Sequence, residues 1–131
     1  MVDLTSYFQT VQSKGNLLTS QHAQRWSTAV LKTLGFNLDK HTKKRLAKAL
    51  PKEMAVDLTR IFFLAHFRNS NLSVHDFQNE VSRRSGNSDP NFAKTPITAV
   101  FSGIKALIDG DMVKAVSNSL APEVRELWEK A

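Results

Sequence analysis

Slid along itself by 70 residues, this chain repeats its own pattern, and that self-similarity limits its fold more than any other feature. Pairing residues 26–61 with 96–131 without a gap sets Thr28 on Thr98, Ala29 on Ala99, Val30 on Val100, Asp39 on Asp109, Lys44 on Lys114, Leu50 on Leu120 and Glu53 on Glu123. Apolar positions coincide too: Leu31 with Phe101, Leu34 with Ile104, Leu38 with Ile108, Leu46 with Val116, Met54 with Val124 and Leu58 with Trp128. With small gaps the match extends backwards, "FQTVQSKGN" from Phe8 resembling "FQNEVSRRSGN" from Phe77. The positions kept are those a helical unit turns inward. One such unit hardly covers its own apolar stripe, so two are expected to bury their faces against each other about a pseudo-twofold axis. The expectation is a single domain over residues 1–131 with half-repeats at about 7–61 and 76–131, best matched over 26–61 and 96–131.

The period of the apolar residues says what each unit is made of. Trp26, Val30 and Leu34, then Met54, Leu58, Ile61 and Phe62, then Ile97, Val100, Phe101, Ile104 and Ile108 recur at three- and four-residue steps, the spacing of a helix face. No Asn-Gly or Asp-Gly pair lies between two alternating runs, so hairpins have no support. The chain reads as all-α, a bundle of seven or eight helices. Thr5 or Asp3 is expected to cap a first helix closed by Gly15, Ser20 a second, and Asp39 a third. Pro51 suits the first position of a fourth, reaching at least Ala65, and Ser73 with Asp76 suits a capping box for a fifth ending near Gly86. Thr95 and Pro96 open a long helix, and two short ones follow "DGD". The expected core is Trp26, Val30, Leu34, Leu46, Leu50, Leu58, Phe62, Phe77, Val81, Val100, Ile104, Ile108, Val116, Leu120 and Leu127.

A set of helical signatures carries a resemblance. "VLKTLGFNLDKHTKKRLAKALPKEM", "DFQNEVSRRSG" and "ITAVFSGIKALIDGDMVKAVSNSLAPEVRELW" are similar to the uncharacterised prokaryotic family known as domain of unknown function 2267, over most of residues 26–128. The resemblance implies an all-α domain and a bacterial source, and it supplies no activity.

Composition removes several chemistries. The chain has no cysteine, which excludes disulfides, thiolate metal sites and cysteine nucleophiles and fits a reducing compartment. "MVDLTSYFQT" has an acid where a signal peptide needs a basic segment, and "IFFLAHF" at 61–67, the longest apolar run, is far below the roughly 20 residues of a spanning helix. A soluble cytoplasmic protein is expected. His22, His41, His66 and His75 never stand three or four residues apart, so helical ligand pairs are not formed and no cofactor is expected. His66, among Phe62, Phe63 and Phe67, reads as a core imidazole. The glycines form no phosphate loop, and Ser102 in "FSGI" sits at a packing position of a helix. Glu123, Glu126 and Glu129 read as a solvated face.

Charge supplies the remaining feature. Net charge is +6, and residues 40–52 alone hold Lys40, Lys43, Lys44, Arg45, Lys48 and Lys52 with no acid, which equals the excess of the whole chain. At about 100° per residue, Lys40, Lys44 and Lys48 form one stripe with His41 and Arg45 beside it, opposite Leu46 and Leu50. With no catalytic set remaining, the expected function is a non-enzymatic interaction module engaging a protein partner or a second copy. The alternative is binding of nucleic acid or another polyanion through Lys40, Lys44, Arg45, Lys48 and Lys52.

Overall fold

Short polar side chains decide where these helices begin. Asp39, Ser73 and Asp109 each hold an extended backbone and accept a hydrogen bond from the N–H three residues on, at 2.8, 3.0 and 2.8 Å. The computed structural model describes residues 4–59, 72–86 and 91–131, and within them lie eight helices and no strand. They are α1 (Leu4–Lys14), α2 (Ser20–Asn37), α3 (Lys40–Ala49), α4 (Lys52–Thr59), α5 (Val74–Ser85), α6 (Lys94–Leu107), α7 (Gly110–Ser119) and α8 (Pro122–Lys130).

Several boundaries fall beside the residue the sequence suggested. Thr19, not Ser20, is the N-cap of α2: its hydroxyl accepts from the His22 N–H at 3.1 Å, and Ser20 is the first helical residue. α1 already includes Thr5, and Asp3 lies outside the described residues. Pro51 precedes α4, its carbonyl accepting from the Ala55 N–H at 3.0 Å, whereas Pro122 is the first residue of α8. α6 begins at Lys94, ahead of Thr95, after an Ala93 that makes no side-chain cap. α5 ends as expected at Gly86, whose φ of 84° is the left-handed geometry glycine adopts without strain. The proposed extension of α4 to Ala65 and the core roles of Phe62 and His66 fall outside the described residues.

The apolar faces meet in one core. Phe101 stacks between Phe77, at 5.8 Å between ring centroids, and Trp128, at 5.1 Å edge-on, while the Trp128 indole N–H donates to the Val113 carbonyl at 3.2 Å. Leu31, Leu34, Leu46, Leu58, Val81, Ile97, Ile104, Val116 and Val124 are fully enclosed around them. Ile108 departs from expectation: as the extended residue ending α6 it is half-buried against the core edge.

Two close approaches set the helix spacing. A Cβ on Gly35 would stand 2.1 Å from the Leu58 carbonyl oxygen, so the α2–α4 contact requires glycine there. On Gly103 it would meet the Tyr7 ring at 2.7 Å, which is how α1 seats on α6. Packing pairs α1 with α6 and α5 with α2, α2 with α4 and α6 with α8, α3 with α4 and α7 with α8; α2 meets α6 and α3 meets α7. α1 also packs on α2, α5 on α6, and α5 on α8.

Candidate polyanion interface

α3 is held to the bundle by one side. The Asp39 carboxylate accepts from both the N–H and the hydroxyl of Thr42, at 2.8 and 2.9 Å, and Leu46 and Leu50 enter the core. With the helical step fixed at 3.6 residues per turn, the opposite side is set as well. Lys40, His41, Lys44, Arg45 and Lys48 are all exposed there, and Lys52, opening α4, is exposed beside them. All five cations named from the sequence therefore reach solvent. The ion pairs among the described residues join Glu80 to Arg83 and Arg84, and Glu126 to Lys130; none includes a cation of 40–52.

Lys43 differs from its neighbours. It lies on the inward shoulder of α3 with 8% exposure, and burial together with the nearby Lys40 charge draws its ammonium below the ordinary lysine range. The positive end of the helix is met by the Asp39 carboxylate at its cap, while the first turn itself holds no acid. Like charges four residues apart, as at Lys40, Lys44 and Lys48, cost a helix about 0.2–0.5 kcal/mol per pair. This face is thus mildly unfavourable to α3 itself. Besides its cations and His41 it has no side chain suited to reading bases, since Thr42, the hydroxyl residue of α3, is turned inward.

Other candidate side chains have structural occupations. Ser102 accepts from the Lys14 ammonium at 2.8 Å, bridging α6 to α1. The acids of α8 do more than face solvent: Glu123 accepts from the Val74 N–H at the start of α5, and Glu129 from the Ser117 hydroxyl. Glu126 bonds Lys130 at 2.7 Å, and that hydrogen bond and charge hold its carboxyl below the usual range. His41 and His75 are exposed and His22 is half-buried; among the described residues no group of three His, Cys, Asp or Glu side chains could hold a metal. No described helix is long and apolar enough to cross a membrane.

One site escaped the sequence reading. A cleft of about 390 Å³ opens where the turn between α1 and α2, the first turns of α2, the end of α5 and the approach to α6 converge. Leu18, His22, Arg25, Trp26, Ser85 and Phe92 line it, with the Trp26 and Phe92 rings 5.8 Å apart and tilted by 47°. Its residues come from three separated segments. The available signal was Leu18, an apolar residue between Gly15 and Ser20 with no helical face to join.

Compared with known protein families, residues 5–127 match the model described as uncharacterized conserved protein (DUF2267). The curated proteins contain no match. The chain belongs to the DUF2267 family, the one its helical signatures resemble.

Proposed function

We propose that this DUF2267 member is a non-enzymatic helical interaction module, acting in the bacterial cytoplasm by presenting its outer surface to a protein partner or a second copy of itself. The observation that carries the reading is the placement of ionisable groups among the described residues: most lie at the surface or bridge helices, and a cleft of about 390 Å³ gathers His22 and Arg25 with no carboxylate among its described lining. General acid–base chemistry needs such groups to converge with separated proton affinities. We read the two halves as units of one internal repeat, supported by helix bounds that recur 70 residues apart from α3 to α7, Lys40–Ala49 against Gly110–Ser119. Affinity capture from native cytosol, followed by reconstitution from purified components, tests the module. A stoichiometric complex or a discrete oligomer by light scattering is expected; a strictly monomeric chain that captures nothing specific overturns it.

A second reading is favoured by the unpaired cations of α3: binding of nucleic acid or another polyanion through Lys40, Lys44, Arg45, Lys48 and Lys52. Affinity for duplex DNA would then fall linearly with log salt at a slope of about −0.9 per phosphate neutralised, with little regard to sequence. Replacing Lys40, Lys44 and Lys48 together with Gln lowers that slope by about three units if each meets one phosphate. Absence of any mobility shift at about 50 mM salt, where phosphate contacts are least screened, ends this reading.

A further inference from the structure

Large apolar side chains are rarely left in solvent together, and a cluster of them rimmed by polar groups marks a surface that another molecule covers. Among the described residues three large hydrophobics are exposed: Leu18 at 84%, Phe92 at 44% and Val56 at 44%. Leu18 and Phe92 stand on the same cleft, with the buried Trp26 as its floor. Its charged lining among the described residues is Arg25, exposed, and His22, half-buried; neither enters an ion pair among those residues, and no carboxylate is among them on the lining. Apolar and aromatic walls beside a free guanidinium are the composition of interface hot spots.

We propose that this cleft is the docking site for an acidic protein segment, which inserts one large apolar side chain between Leu18, Trp26 and Phe92 and sets its carboxylates against Arg25 and His22. The proposal rests on the interaction-module reading and names its surface and partner class. Charge complementarity fixes the sign of the occupant: the lining is cationic, on a chain of net charge +6. The cleft's form fixes its kind. Its volume lies within the range of about 300–1,000 Å³ used for ligands, yet it is open, and Leu18 stands almost wholly in solvent, so a free small molecule would remain half wet. A peptide needs to bury only one side chain while its backbone continues outside. The Trp26 and Phe92 rings touch, with 5.8 Å between centroids, and together form one apolar wall, with Leu18 on the same cleft, against which an aromatic or branched aliphatic group can pack.

The test is an NMR titration of the full chain with a blocked heptapeptide carrying a central tryptophan between acidic residues. Two control peptides replace the tryptophan with alanine or the acids with their amides. Saturable shifts are expected at the Trp26 indole and at the Leu18 and Phe92 amides, with a Kd no weaker than about 1 mM. Each control peptide, and the variants Arg25→Glu and Leu18→Glu, should weaken binding at least about tenfold, which is 1.4 kcal/mol. Both positions are exposed, so the melting temperatures of these variants should match the unsubstituted chain. Equal binding of the control peptides, or shifts centred on α3, would overturn the cleft while leaving the module intact. So would no saturable shift, or unweakened capture of a native partner by the two variants; capture of no partner at all would instead overturn the module.

Discussion

α3 and α7 match in length and capping and differ in charge. Each has ten residues, each is capped by an aspartate accepting from the N–H three residues on at 2.8 Å, and each ends at an extended leucine, Leu50 or Leu120. They pack against each other. Yet α3 carries Lys40, Lys43, Lys44, Arg45 and Lys48 with no acid, whereas α7 balances Lys114 with Asp111. α7 reaches the same length, cap and extended leucine end without those cations. The positive face of α3 is therefore an addition to the fold, carried at some cost to helix stability.

The sharpest way to break the comparison is through the core. Leu50→Ala and Leu120→Ala should each lower stability by roughly 2–5 kcal/mol in urea denaturation, the Leu120 change more because that side chain is more completely enclosed. If one were nearly neutral, the two helices would not share a packing role.

Caps separate the helices further. Asp109→Ala should cost about 1 kcal/mol, the usual loss of an N-cap. Asp39→Ala should cost more, because that carboxylate also accepts from the Thr42 hydroxyl at 2.9 Å and the Ser119 hydroxyl at 2.8 Å. Equal losses in thermal melts would mean that the bond between halves contributes nothing.

Position 7 offers a comparison with position 77, tyrosine against phenylalanine. The Tyr7 hydroxyl shares a 2.7 Å hydrogen bond with that of Ser27, and burial pushes its pKa far above the ordinary tyrosine value. The folded chain keeps the phenol protonated while the unfolded chain releases the proton near about pH 10, so stability should fall as pH rises above that value. Tyr7→Phe should remove this fall and cost about 0.5–1.5 kcal/mol at neutral pH, read by chemical denaturation at both pH values.

The smallest effect belongs to the cations. Replacing Lys40, Lys44 and Lys48 with Gln removes two like-charge pairs at four-residue spacing and should raise stability by a few tenths of a kcal/mol at low salt, about 0.2–0.5 per pair. The gain should vanish at high salt. A loss exceeding 1.4 kcal/mol, about tenfold in the folding equilibrium, would mean that these lysines are structural after all.

How far the sequence carried the reading depended on the range of the interaction. Helices were legible because their apolar period and caps are local, and Asp39, Asp109 and Gly86 stand where their chemistry requires. Boundaries slipped where two neighbours offer equivalent chemistry: Thr19 and Ser20 both have a cap-competent hydroxyl, and only the observed backbone, extended at Thr19, decides between them. Lys43 reads in the sequence as one more cation of residues 40–52 because its charge suggests solvent, while its place, three residues before Leu46, turns it toward the core shoulder. The cleft was illegible for a different reason. Leu18, Trp26, Ser85 and Phe92 become neighbours through the packing of α5 on α2, which no local period encodes.

The bond between Asp39 and Ser119 has a consequence for how such a molecule is assembled. Asp39 donates its N–H to the Ser119 hydroxyl at 2.9 Å and receives that hydroxyl's proton on its carboxylate at 2.8 Å. Seventy residues earlier than Ser119 stands Ala49, which has no hydroxyl to return the contact to Asp109. The clasp at the meeting of α3 and α7 therefore closes in one direction. If the halves are the repeat units proposed above, a bundle assembled from two copies of the first half would lack the clasp, and severed halves should favour mixed pairs over pairs of first halves.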